Sequence, residues 1–263
     1  MKIIEYRHEP ANYVWLEQIR NCDWRAGPYL YQLIRDNRFR QVYGETSRVL
    51  LLTEGNRLIS FCTYAEQDDI PMTDLTPWIG YVYTFPAERG RRRVGKLFEY
   101  AYKLAKEEGH HWIYICTHDE GIYEKYGCIY WKDATDREGV LSRIYRLPVV
   151  DMDYSGIIGR PAAGTVDRPL GTSHPNHKEM IYPVNYGYID GVMGGDGEEQ
   201  DAYILGTDLP LKTFSGKVIG VYHRLNDCED KWIVSVDGQP FSRDTILNAI
   251  AFQEQYYMGE LYT

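Results

Sequence analysis

Apolar positions in the first 150 residues follow two periods. Val94, Leu97, Phe98, Ala101, Leu104 and Ala105 recur at helical spacing, one stripe on a helix that stops at Glu108 and Gly109. Around it the pattern is strand-like. KIIEY reads as a strand, and RVLLLTEGNRLISFCTYAEQ as two strands joined at Glu54-Gly55-Asn56, a hairpin signal. WIGYVYTF, rich in β-branched and aromatic residues, ends at Pro86, and HWIYICT follows the helix. A helical stretch from about Tyr13 to Arg38, a short helix in DEGIYEKYG, and strands CIYW and VLSRIYRL complete a mixed α/β unit. The second half changes character. NYGYI, AYILG, KVIGVYHRL and KWIVSV are short strands parted by turn residues, the pattern of a small β-barrel or sandwich. Ser242 caps a last helix whose Ile246, Leu247 and Ile250 face inward. The predicted domains are residues 1–148 and 156–263, with 149–155 as linker.

Charge sharpens that division. Residues 1–150 carry 21 Lys+Arg and 21 Asp+Glu, whereas residues 151–263 carry 8 and 17, so the net charge of −9 lies wholly in the second half. Neither half has a dominant basic face, which argues against a nucleic-acid partner. The five cysteines show neither paired nor zinc-type spacing, which points to a reducing compartment. The first residues lack the apolar run of a signal peptide, and no window suits a membrane span, so a cytoplasmic protein with no membrane partner is expected. Trp78, Tyr100, Tyr256 and Tyr257 suggest an aromatic surface for a homodimer.

Within the neutral half, PAERGRRRVGKL concentrates cations between a strand and a helix. The first N–H groups of a helix have no internal partner and carry partial positive charge, so such a loop is a natural phosphate site. VYTFPAERGRRRVGKLFEYAYKLAKEEG, WIYICT and GIYEKYGC together resemble the GCN5-related N-acetyltransferase (GNAT) family. The resemblance covers about residues 1–147 and implies an α/β mixed sheet with helices on both faces. It implies acetyl-CoA as cofactor, its diphosphate held by Arg89, Gly90, Arg91, Arg92, Arg93, Val94 and Gly95 and its pantetheine arm by Tyr83, Thr84 and Phe85. It makes Tyr123 the proton donor to the leaving thiolate. The loop departs from the family pattern: Arg92 stands where the pattern has Gly, Val94 where it has Gly or Ala, and Gly95 comes one place late. Glu66, Asp68 and Asp69 end a strand as candidates for the general base; Glu66 is the expected one. The acceptor is an amine, on a small molecule or a protein N-terminus or lysine.

The acidic half offers Asp196, Glu198 and Asp201 around Gly197, then Asp227, Glu229, Asp230 and Lys231 after a strand. Two carboxylate clusters after separate strands can converge on hard divalent cations such as Mg²⁺. VDRPL, YPVNYGYI and DGEEQDAYIL resemble family I inorganic pyrophosphatases over about residues 156–252. That resemblance implies a small OB-like β-barrel. It implies Asp196, Glu198, Asp201, Asp227 and Asp230 as metal ligands, with Arg168, Tyr186 and Lys231 on pyrophosphate or another phosphorylated ligand. Glu198 replaces the family's second Asp, the Asp-to-Lys spacing is compressed, and two lysines of the family's phosphate cradle have no counterpart. His174 and His177 are available as substitutes, although a structural loop explains them as well. An N-acetyltransferase fused to a divergent pyrophosphatase-like domain is the leading reading. The alternatives are a Mg-dependent phosphohydrolase and a non-catalytic phospho-ligand sensor.

Overall fold

The computed structural model describes residues 1–263 apart from His8, Pro10, Ala11, Met72 and Cys228. It divides into two compact units, Met1–Asp151 and Met152–Thr263, a boundary inside the predicted linker.

The first unit is a seven-stranded sheet in the order β1-β2-β3-β4-β5-β7-β6. Its strands are β1 (Lys2–Glu5), β2 (Arg48–Glu54), β3 (Arg57–Ala65), β4 (Trp78–Thr84), β5 (Trp112–Thr117), β6 (Ile129–Thr135) and β7 (Leu141–Pro148). The hairpin forms at Gly55, whose φ of 57° suits glycine. β2 and β3 are buried along nearly their whole length, so their apolar runs are continuous rather than alternating. On one face Val49, Leu51 and Phe61 pack with Trp15, Ile19, Leu30 and Leu33 from α1 (Tyr13–Arg20) and α2 (Ala26–Arg35). The helical stretch expected over 13–38 is formed by these two helices, and α3 (Phe39–Tyr43) follows them. α4 (Gly95–Glu107) buries Leu97, Phe98, Ala101, Leu104 and Ala105, the stripe read from the sequence, and packs on β1, β2, β3 and β5. The segment DEGIYEKYG yields only a 3-10 turn, Tyr123–Tyr126, closed by Gly127 in the left-handed region.

The second unit is a closed five-stranded barrel. β8 (Pro161–Arg168), β9 (Asn185–Met193), β10 (Glu199–Leu205), β11 (Thr213–Arg224) and β12 (Asp230–Ser235) connect in the order β12-β10-β9-β8-β11, and β11 pairs with β12 to close it. β10 and β12 are parallel, as an OB-like topology requires, and β13 (Gly259–Tyr262) adds to β11. A Cβ at Gly187 would run into the Thr165 carbonyl, so glycine here permits the close crossing of β8 and β9. Ser242 Oγ accepts the Thr245 N–H at the start of α5 (Arg243–Glu254), which buries Ile246 and Ile250.

The expected fold class holds for both units. Of the four aromatic residues suggested for a dimer surface, Trp78 is wholly buried, Tyr256 is exposed, and the Tyr257 ring lies 3.5 Å under the Arg224 guanidinium.

Candidate active site

β4 is fully paired with β3 on one side, but on the other it meets β5 at one rung, Trp78 with Tyr114. Opposite Phe61–Thr63, β4 spends an extra residue between Gly80 and Tyr83, and Tyr81 takes a φ of 49°. A bulge of this kind bends and twists its strand. Beyond that rung β4 and β5 diverge around a cavity of about 840 Å³, lined by β4 from Ile79 to Thr84 and by Cys116, Thr117, His118 and Asp119 at the end of β5.

Tyr123 lines this cavity. It is 8% exposed, stacks on Phe98 (centroids 6.1 Å apart, planes 5° apart), and its hydroxyl is hydrogen-bonded to Thr117. Burial raises its pKa, so the phenol keeps its proton at neutral pH. Asp68 and Asp69 line the cavity as well. Asp68 is 6% exposed; burial first, and then the charge of Asp69, pushes its carboxyl up to about 8. Glu66 lies elsewhere. Its Oε1 accepts from both the N–H and Oγ1 of Thr46, each at 2.7 Å, which holds its carboxyl below the usual range, and it does not line the cavity. Of the three carboxylates ending β3, the structure therefore brings Asp68 and Asp69, and not Glu66, to Tyr123. Burial pushes the Cys116 thiol up to about 12, so this cavity cysteine is no thiolate nucleophile at neutral pH. At the same end Ser142 Oγ donates to Asp136 Oδ2 (3.0 Å) and lies 2.9 Å from His118 Nε2.

The predicted cofactor residues separate by role. Tyr83 packs its ring on Trp24 and donates its hydroxyl to Asp23, while Phe85 packs against Tyr83. Their side chains belong to the core, so only their backbone is presented along β4. In the turn before α4, Gly90 (φ 77°) and Arg92 (φ 51°) are both left-handed, so Arg92 adopts the conformation that the glycine it replaces would favour, at a cost of about 1–2 kcal/mol. Val94 is buried at the helix N-cap, and a Cβ on Gly95 would come within 3.3 Å of Tyr126. Arg91 and Arg93 share the buried carboxylate of Glu88, at 3.3 and 3.6 Å. Arg89 reaches back to β4, donating through Nε to the Thr84 carbonyl (2.9 Å) and through an Nη to Asp23 (3.1 Å).

In the barrel, Arg168 and Lys231 flank the buried Tyr186 ring, 5.9 and 6.0 Å from its centroid. The three expected phosphate contacts are thus together, but both cations are engaged: Arg168 with Asp167, Lys231 with Asp201 and Glu229. The expected metal ligands fall into separate groups: Asp196 and Asp201 both approach Lys231, whereas Asp227 and Asp230 are held by other partners. Asp196 accepts the Glu198 N–H at 3.0 Å, and Glu198 is exposed. Asp227 is held by Arg224 at 3.0 Å. Asp230 accepts from Tyr154 (2.7 Å) and lies 2.8 Å from His223 Nδ1. Among the described residues no three His, Cys, Asp or Glu side chains form a metal-ligand group.

No family model and no curated protein matches the chain. Solved structures do. Over 57% of its length the chain is similar to all of a GNAT-family acetyltransferase from Desulfovibrio desulfuricans, at 13% identity and a TM-score of 0.43. It is similar over 58% to 99% of an aminoglycoside 6'-N-acetyltransferase from Enterococcus faecium (14% identity, TM-score 0.44). Over 40% it is similar to 81% of an inorganic pyrophosphatase from Neisseria gonorrhoeae (19% identity, TM-score 0.32). These likenesses are of fold.

Two site residues escape a reading by motif. Asp68 is indistinguishable from Glu66 and Asp69 by composition, and strand alternation stops helping once β3 ends at Ala65. Glu229, not Asp230, faces Lys231 and Asp201. Glu229 sits just before β12, and Asp230, the first residue of that strand, is turned to Tyr154 and His223 instead.

Proposed function

We propose that the N-terminal unit is an acetyl-CoA-dependent N-acetyltransferase that acetylates an amine by direct transfer. The observation that carries this is the single-rung junction of β4 and β5, which leaves a strand edge and a cavity between a buried carboxyl, Asp68, and a buried phenol, Tyr123. The unpaired edge of β4 offers backbone groups to the two amides of a pantetheine arm. The turn at Gly90–Val94 and the first N–H groups of α4 suit its diphosphate.

In this scheme Asp68, once ionised, takes a proton from the acceptor ammonium. The neutral amine attacks the thioester carbonyl. The tetrahedral adduct expels thiolate, the Tyr123 hydroxyl supplies that thiolate's proton, and the phenolate left behind takes the second proton given up by the acylated nitrogen. The C–N bond forms, the C–S bond breaks, and amide, free thiol and one proton leave. The high pKa of Cys116 favours this route over an acyl-cysteine intermediate.

Calorimetry of the full chain with acetyl-CoA, together with release of free thiol across a panel of amines, tests the reading. Absence of saturation at millimolar acetyl-CoA would sink it. Tyr123→Phe is expected to lower kcat about 10²-fold with acetyl-CoA affinity unchanged. Asp23→Asn frees Arg89 from its carboxylate, and a two- to five-fold lower Kd for acetyl-CoA is expected, because an exposed ion pair competing with the diphosphate is weak.

A further inference from the structure

Beyond the transferase, the barrel holds an unusual ionic interior. Lys231 is 1% exposed and Arg224 is 2% exposed. The Lys231 ammonium sits on both Asp201 and Glu229. Strand register sets this contact: in the parallel pair β10–β12, Ala202 pairs with Trp232, which brings the preceding residues, Asp201 and Lys231, side by side. β12 is also paired with β11, so the backbone at Lys231 is fixed between two strands. Arg224 ends β11 with Nε and an Nη on the two oxygens of Glu254 (2.9 and 2.8 Å), and its other Nη reaches Asp227 (3.0 Å) and Glu229 (3.3 Å). Glu229 is the carboxylate both cations share.

We propose that Lys231 and Arg224 are resident counter-ions, which hold these carboxylates together as a divalent cation would and thereby exclude one. A metal ion on Asp201 and Glu229 would meet a buried ammonium already hydrogen-bonded to both. Bringing two cations that close with little solvent between them is strongly unfavourable. The barrel therefore keeps its acidic pair without metal and takes up none.

Mn²⁺ titration of the full chain, read by electron paramagnetic resonance and by thermal shift, tests this. Wild type is expected to bind no Mn²⁺ at this pair at 1 mM and to shift by less than about 1 °C. Lys231→Met removes the ammonium and should create a site, with Mn²⁺ at 5 mM raising its Tm by about 3–5 °C. Adding Asp201→Asn should abolish that gain, which separates it from binding elsewhere on the chain. Wild-type Mn²⁺ binding that disappears in Asp201→Asn would overturn the proposal, as would a folded Lys231→Met that gains nothing. Lys231→Arg keeps a cation and should remain indifferent to metal. A metal response there would also refute it, whether or not Lys231→Met folds.

Discussion

Asp68→Asn is expected to lower kcat/KM for acetyl transfer about 10²–10³-fold, by removing the group that makes the acceptor amine neutral. The pH profile gives the sharper test. In wild type kcat/KM should rise through about pH 8, where the Asp68 carboxyl ionises, and Asp68→Asn should lose that rise. Stability moves the other way. Because the folded-state pKa is raised, folding favours the protonated carboxyl. That contribution is fully present below the ordinary carboxylate range and is lost as pH rises from there through about 8. Asparagine carries no such charge, so the Tm of the variant should gain on wild type as pH rises from the ordinary carboxylate range to about 8, and no further above it. An Asp68→Asn enzyme within threefold of wild type, with the same pH limb, would remove Asp68 as base.

Arg224→Met should destabilise the barrel by about 3–5 kcal/mol, read as a lower urea midpoint. The loss comes less from the ion pairs than from leaving Glu254, 5% exposed, without its cation. Glu254 then keeps the Tyr203 hydroxyl, which donates to it at 2.6 Å. Adding Glu254→Leu should recover part of the loss, since replacing both members of a buried pair by apolar groups is often near neutral. A double variant as unstable as the sum of the two singles would show that the two side chains contribute independently.

Periodicity carried most of the architecture because the apolar stripes are strong. The α4 stripe, the β2–β3 hairpin and the short barrel strands all lie where the pattern put them. Details set by tertiary contact were not legible. Nothing in WIGYVYT announces the bulge that turns Tyr81 left-handed, because it depends on how β3 and β4 register. The break between α1 and α2 at Asn21–Arg25 carries neither proline nor glycine within it. Motif spacing pointed to the arginine turn, and Glu88 within it holds Arg91 and Arg93, but Asp23, which engages Arg89, is brought there from a distant turn by the fold. In the barrel, Arg168, Tyr186 and Lys231, which the motifs group, lie together; strand register rather than motif spacing sets Asp201 beside Lys231, while Arg168 is engaged by its neighbour Asp167.

The anchoring of Arg224 by Glu254 bears on how the chain is made. The guanidinium ends β11, whereas its bidentate partner lies thirty residues later, at the end of α5. While the ribosome has yet to release residue 254, a nascent barrel holds a cation with its main counter-charge still in the exit tunnel. Chains stalled with residue 254 still inside the tunnel should be more open to protease than the released chain.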